Sequence, residues 1–549
     1  MKKARAYILG AFGGIALLVS LAYTPDYFEI SKQLDIFTNV FKEVNLYYVD
    51  ETAPGELMQE AISSMLSTLD PYTNYIPEEY VEDFKIQNTG NYGGIGASIT
   101  IHEEQVIITS IYEGFAADKA GIKVGDLLLT VDENTLTGKS SEDISKILKG
   151  AAGSEIKLEL KRAEETLSKT LKRTDVQEAS VPYYGMLNEH VGYITLSSFT
   201  PHASREVKKA LTALKKEHEL KGLVFDLRGN PGGLLNEAVN ISNIFIPKGK
   251  DVVETRGKVE EWRKTYKTLN LPDETELPVA VLINRGSASA SEIVAGVLQD
   301  YDRGVIIGQR SFGKGLVQQT RPLSFGAQMK VTIAKYYTPS GRCIQAINYA
   351  ERDEDGSVKA IPDSLRNNFK TAAGRSVLDG GGIDPDIEVE LEEINSLVVA
   401  LYRKMLLFDY ATLYARKHAD ISNARGFKLT EAEYTDFTNW VKTKGLEYET
   451  PTEKAISKLE KKAEQEEYLE NLKSELAALK KAYDKSEQRD LEKYKDVIKE
   501  LLEEEISARF YYEKGRIANA IQKDAEVLKA VEVLEDPVLY NRTLSVAKD

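Results

Sequence analysis

The chain has 549 residues, too many for one hydrophobic core, so about three or four domains are expected. Its hydrophobic fraction of 42% is that of a globular protein, and its net charge of −15 excludes nucleic acid as a partner, because phosphates require a basic surface. A single cysteine, Cys343, excludes an intrachain disulfide and is read as a packing residue.

Lys2, Lys3 and Arg5 precede an uncharged apolar stretch over 6–23, the charge pattern of an export signal. Ser20 and Ala22 are small enough for a signal peptidase, while the run is nearly long enough to span a bilayer. Residues 1–23 are therefore expected to be a signal peptide or an amino-terminal anchor. Either way the chain is expected to be exported to the periplasm, free or anchored to the inner membrane.

Residues 24–88 carry Leu34, Phe37, Val40, Phe41 and Val44, then Leu57, Ala61, Met65 and Leu69, at helical spacing, which predicts a small helical packing segment. Residues 89–176 read differently. GGIG at 93–96 leads into strands over 97–101 and 105–111, a short helix over 115–120, a strand over 126–131, a helix over 141–148 and a closing strand over 155–161. That order resembles a PDZ domain. Consecutive amides at Gly94, Ile95 and Gly96 could hold a peptide's terminal carboxylate while the peptide adds as a strand beside 95–101. Ile144, Ile147 and Leu148 face either the peptide's apolar end or the domain core. The glycines do not have the spacing of a nucleotide loop.

From 177 to 395, strands over 191–196 and 222–227 alternate with helices over 204–218 and 236–245, predicting an α/β layered core with a partly parallel sheet. Between them DLRGNPGG at 226–233 lacks the pattern of a phosphate loop. The apolar run 279–283 predicts a buried strand, after which GSASASEI at 286–293 turns into a helix carrying Ile293, Val294, Val297 and Leu298. Ser289 thus stands where a strand hands over to a helix, beside free backbone N–H groups. A serine hydroxyl needs a base to take its proton, and Lys314, in FGKGLVQ at 312–318 after another buried strand, is the candidate. If strand geometry already holds at Lys314, Gln318 shares its face and could orient it.

Plainer readings stand beside these. Ser289 and Glu292 have the spacing of a capping box, and Gly-Lys-Gly suits a solvated turn. Capping needs one serine, however, and three alternate here. The five histidines lie outside every motif, and no metal-binding or cofactor-binding pattern occurs.

A strand over 328–337 continues the sheet, and residues 352–375 are expected as a polar surface excursion. From 396 to 549 the pattern becomes long and helical, with a heptad seam at Leu469, Leu472, Leu476 and Leu479 that continues at Leu491, Tyr494, Ile498 and Leu501. A helical hairpin folded on itself is favoured over a dimer seam.

The serine and lysine motifs together resemble the carboxy-terminal processing, or tail-specific, proteases, serine endopeptidases with a Ser-Lys dyad and a PDZ domain. The resemblance spans roughly residues 30–395. It implies a crotonase-like α/β core, Ser289 as nucleophile, Lys314 as general base and Gln318 as its orienting partner. It places oxyanion-hole amides at Gly232 or Gly233 together with Ala290, and implies substrates that are proteins or peptides with free carboxy termini. It implies an amino-terminal segment that packs on the protease and aids dimerisation, and leaves room for a higher oligomer and an adaptor protein. The rival readings are a non-catalytic PDZ scaffold that only binds tails, and an acyl-thioester enzyme, which would need a nucleotide pocket.

Overall fold

The computed structural model describes residues 27–82, 84, 91–353, 357–390, 395–483 and 487–546; the expected signal or anchor segment lies outside them. No helix among the described residues is long and apolar enough to cross a membrane. The chain divides into two compact units, one ending at Tyr75 and one from Ile76 onward. The first holds two helices, Tyr27–Tyr47 and Pro54–Ser67, matching the helical spacing. The longer of them buries none of its residues.

In the second unit, the PDZ-like part is a meander in which Ala97–His102 pairs, among the described residues, only with Gln105–Ile111 and so forms the sheet edge. The helix Ser141–Leu148 lies where its spacing predicts. The sheet does not close at 155–161. Glu155–Arg162 returns as Glu165–Lys172, and Thr174–Gln177 pairs with Asn91–Gly94. Gly93 and Gly94 therefore belong to a strand, and of the expected glycine turn only Gly96 takes a left-handed backbone, at φ 73°.

The core sheet has six strands in the order Tyr183–Met186, Val191–Thr195, Gly222–Asp226, Val279–Ile283, Val305–Gly308 and Ile387–Glu388, parallel except for the first. Alternation sends Leu223, Phe225, Val281 and Ile283 to a face covered by helices that include Leu235–Phe245 and Ala290–Asp300. Val224, Ala280, Leu282 and Ile307 go to the other face, which is covered by Val527, Ala530, Val533 and Leu534 of helix Ala525–Glu535. Burial on both faces is why these strands are apolar at every position. It also corrects the expectation of a self-contained carboxy-terminal hairpin, because the last helices form the third layer of the core. The seam at 469–479 does not fold back on its continuation at 491–501: Leu469–Ala482 packs on the preceding helix Pro451–Gln465, while Leu491 and Ile498 join a separate helical core with Leu401 and Phe437.

The strand over 328–337 does not continue the core sheet, as its sequence suggests, but lies in a second, antiparallel one. Gln328–Tyr337 pairs with Leu316–Pro322 on one side and with Asp251–Gly257 on the other, and the latter pairs with Lys264–Lys267. Nor is 352–375 only a surface excursion. The Arg366 side chain is buried against Asp384, and Arg375 bonds Asp302 and Asp386.

Candidate active site

The strand Val279–Ile283 ends at Asn284, and a tight turn leads to the helix beginning at Ala290. Of the three alternating serines, the outer two are fully buried fasteners. Ser287 Oγ donates to the Leu227 carbonyl at 2.8 Å, and Ser291 Oγ to that of Asn230 at 2.9 Å. They hold the serine turn against the glycine loop. Ser289, between them, is half-buried at φ 56°, ψ −112°, a backbone that side chains other than glycine rarely adopt and that costs about 1–3 kcal/mol.

The glycine loop is held as firmly. Gly229 N donates to Asn284 Oδ1 at 2.9 Å, and Asn230 Nδ2 to the Leu196 carbonyl at 2.7 Å. Gly232 has φ +100°, and a Cβ there would lie 2.8 Å from that of Ser289, so only glycine allows this approach. Its amide, however, donates to Asn230 Oδ1 at 2.8 Å inside its own turn. Of the two glycines offered as amide donors, Gly232 is thereby occupied. Among the described residues the amides of Gly233 and Ala290 have no acceptor.

Lys314 sits in the turn before the second sheet. The strand starts at Leu316, and a register shift falls between Val317 and Gln318, so simple alternation from Lys314 to Gln318 does not apply. Both nevertheless line one cavity of about 480 Å³ with Ser289, Ala290 and Gly233. Its apolar wall includes Phe199, Leu235, Ile293 and Leu316, and no histidine is among its lining residues. Gln318 Nε2 donates to Thr332 Oγ1 at 3.2 Å. A second lysine, Lys330, lines the same cavity, and burial draws its ammonium below the ordinary lysine range.

The residue that joins the two loops was seen in the sequence only as half of a cap. Glu292 is fully buried. It accepts from the amides of Ser289 (2.7 Å), Gly313 (2.7 Å) and Lys314 (2.9 Å) and from Ser311 Oγ (2.6 Å). Burial raises its carboxyl above the ordinary range, while these hydrogen bonds pull it back. Tyr336 adds a second tie, its hydroxyl lying 2.7 Å from the Lys314 carbonyl and 3.1 Å from that of Ser289.

A second groove of about 470 Å³ runs between the sheet edge at Ala97–Ile99 and the helix Ser141–Leu148. Of the residues named for peptide binding, Gly94, Ile95 and Leu148 line it, with Tyr92, Tyr112, Ser141, Ser145 and Glu178. Ile144 does not; it and Leu148 share the inward face of the helix and both belong to the domain core, but only Leu148 also reaches the groove. Gly96 is not a lining residue either, and its carbonyl accepts from Tyr112 N at 2.9 Å.

Comparison with known proteins bears on this arrangement. The model of peptidase family S41 matches residues 190–353, that of a PDZ domain residues 93–172, and that of the C-terminal helical domain of PDZ-proteases residues 397–534. A carboxy-terminal-processing protease of Bartonella bacilliformis is 35% identical over 424 residues, covering 72% of this chain and 96% of its own. A probable CtpA-like serine protease of Staphylococcus aureus is 36% identical over 313 residues, 57% of this chain and 62% of its own. Among solved structures, a photosystem II D1 C-terminal processing protease aligns at 27% identity over 64% of this chain and 92% of its own, with a TM-score of 0.37.

Proposed function

Because the chain belongs to the carboxy-terminal-processing serine proteases of peptidase family S41, we propose that Ser289 is its nucleophile and Lys314 the general base. The observation that carries this reading is the strained backbone of Ser289 within a cavity that also holds Lys314 and two unpartnered amides. In this mechanism neutral Lys314 takes the Ser289 proton as Oγ attacks the scissile carbonyl. The developing oxyanion accepts from the amides of Gly233 and Ala290, donors that in such sites are worth about 3–4 kcal/mol each. The intermediate collapses, the lysine ammonium returns its proton to the leaving amine, and water, deprotonated by the same lysine, releases the acyl group. Holding Lys314 neutral near pH 7 opposes about 4–5 kcal/mol of proton affinity, which the apolar wall of the cavity favours. Gln318, with its amide N–H given to Thr332, keeps its carbonyl oxygen to orient the lysine. The layering of the core is read as crotonase-like.

The substrates are proteins presenting a free carboxy terminus. The tail adds to the open edge of Ala97–His102, its carboxylate at the turn after Gly94 and its last side chain against Leu148. The chain acts on exported proteins outside the inner membrane.

The test uses an unfolded protein with a free or an amidated carboxy terminus. Ser289→Ala and Lys314→Ala are each expected to abolish cleavage while leaving tail binding intact, and amidation to weaken binding. Cleavage at the wild-type rate by either variant overturns the dyad, and tail binding without cleavage by the wild-type chain leaves a scaffold.

A further inference from the structure

Arg228 opens the loop that ends at Gly233, and its guanidinium is met by three carboxylates. Two of its nitrogens bond Asp226, the closest contact being 2.6 Å, while Nη1 donates to Asp524 at 2.7 Å and to Glu526 at 2.5 Å. Asp226 is its neighbour in sequence and is fixed in turn by the Tyr193 hydroxyl at 2.7 Å. Asp524 and Glu526 come from the start of helix Ala525–Glu535, nearly three hundred residues later.

Their setting is more than a surface ion pair. The helix is docked on the sheet through Val527, Ala530, Val533 and Leu534, so both carboxylates approach on a rigid body. Glu526 Oε1 also rests against Gly308, where a Cβ would lie only 2.9 Å away. Gly308 ends the strand that feeds the Lys314 turn. The start of this helix therefore abuts the roots of both loops, the one that carries Gly233 and the one that carries Lys314.

The arrangement is poorly suited to stability alone. Glu526 Oε1 is buried with no hydrogen-bond partner, a condition that costs about 1–3 kcal/mol. Three carboxylates also exceed what one guanidinium neutralises, and a packed apolar residue commonly serves a fold as well as a buried ion pair.

We propose that Asp524 and Glu526 are positioning residues for peptide cleavage, through which the carboxy-terminal extension holds Arg228 and the amide of Gly233 in the geometry the tetrahedral intermediate requires. The inference rests on the reading of Gly233 as an oxyanion donor. Asp226 holds the Nε and Nη2 edge of the guanidinium and leaves Nη1 to the later helix. The two distant carboxylates fix it against the layer behind the sheet. An amide displaced by a fraction of an ångström binds the flat ground-state carbonyl almost as well, but loses contact with the oxyanion.

The experiment is made on the full chain with Asp524→Asn and Glu526→Gln combined. Asp524→Asn keeps the helix cap, because Oδ1 can still accept from the amides of Glu526 and Val527. The expected result is a kcat lowered about tenfold or more with KM within about twofold, the signature of an interaction made only in the transition state. Affinity for a peptide aldehyde, whose serine adduct carries the oxyanion, falls by the same factor, and the melting temperature stays level or rises. If the double variant does not fold, Asp524→Asn alone is read by the same split, with Asp524→Glu expected to recover part of kcat. Wild-type kcat and aldehyde affinity in a folded variant overturn the proposal, as does a loss confined to KM or to stability. Ser289→Ala in parallel separates the two readings. Cleavage that survives it defeats the nucleophile assignment, whereas its loss beside an unaffected Asp524→Asn/Glu526→Gln enzyme defeats only the role of the extension.

Discussion

Two helices in this chain begin with the same signature, a serine followed three residues later by an acid, and they use it differently. At Ser140 the backbone is extended, φ −72° and ψ 158°, and the motif closes on itself, the Asp143 amide donating to Ser140 Oγ at 3.1 Å. The boxes at Thr430 and Thr450 have the same extended start. At Ser289 the backbone is left-handed at φ 56°, and the acid, Glu292, is buried and shared with the Lys314 turn. An ordinary cap satisfies its own helix. Here the capping acid has become the joint between two loops, and the serine is left in a conformation that a cap does not need.

The largest effect expected from this contrast is at the serine itself. If Ser289 is the nucleophile, as proposed, Ser289→Ala should lower kcat by more than about a thousandfold. Ser289→Gly should be as inactive and yet more stable than wild type by about 1 kcal/mol, because glycine takes the left-handed backbone without strain. Chemical denaturation of the two variants checks this. Equal stability of the glycine and alanine variants would mean that Ser289 is not strained and that the distinction from Ser140 is only one of burial.

Next in size is Glu292→Gln. The amide replaces an acceptor by a donor in a site where four donors already converge, which should destabilise the core by about 2–4 kcal/mol. The Ser289 turn and the Lys314 loop would lose their shared anchor, and kcat should fall about a hundredfold. Asp143→Asn in the exposed box should leave kcat unchanged. Steady-state kinetics on both variants, corrected for the folded fraction, sharpen the comparison; a Glu292→Gln enzyme of normal kcat would reduce Glu292 to a cap.

How much of this could be read from the chain follows from distance along it. The i, i+3 pair of Ser289 and Glu292 was visible because capping is local, and so was the handover from an apolar strand to a helix. The backbone angle that separates one box from the other was not, since it is imposed by Ser287 and Ser291 fastened to a loop some sixty residues earlier. The glycines at 93 and 94 looked like a turn because their partner strand lies about eighty residues later. Ile144 and Leu148, four residues apart, share the inward face at helical spacing, and only the position of the groove near the helix end separates them. The third layer of the core was hidden furthest, since helix Ala525–Glu535 reads as one more segment of a helical tail.

A smaller effect, but one of opposite sign in the two boxes, is expected from pH. Hydrogen bonds from the Ser140 hydroxyl and amide hold the Asp143 carboxyl below its ordinary 3.8, so its stabilisation is present above that value and is lost as pH falls through the lowered folded pKa. Burial raises the Glu292 carboxyl above its ordinary 4.5, so its contribution is complete below that value and is lost as pH rises through the raised folded pKa. Denaturation midpoints from pH about 3 to 7 should therefore show the Asp143→Asn deficit shrinking toward acid and the Glu292→Gln deficit growing toward acid. The same trend in both variants would remove the claim that the two acids sit in different environments.

The smallest expected effect is at Ser140, and it guards the whole contrast. Ser140→Ala removes the acceptor for the Asp143 amide, but the box is exposed and water can take its place, so the loss should be about 1 kcal/mol or less. The helix it caps carries Ser141, Ser145 and Leu148 along the groove, and fraying of its first turn reaches Ser141 before it reaches Leu148. Binding of a peptide tail, measured by fluorescence anisotropy, should weaken by no more than about twofold, since the seat proposed for its last side chain, Leu148, is near the helix end rather than in the frayed turn. Cleavage of a short peptide without a tail should be unaffected, because none of the hydrogen bonds of this box reaches the serine turn. If Ser140→Ala instead slows that cleavage as Glu292→Gln does, the capping box of the PDZ domain is coupled to the loops of Ser289 and Lys314, and the difference between a closed cap and a shared one no longer explains why Ser289 rather than Ser140 is proposed as the nucleophile.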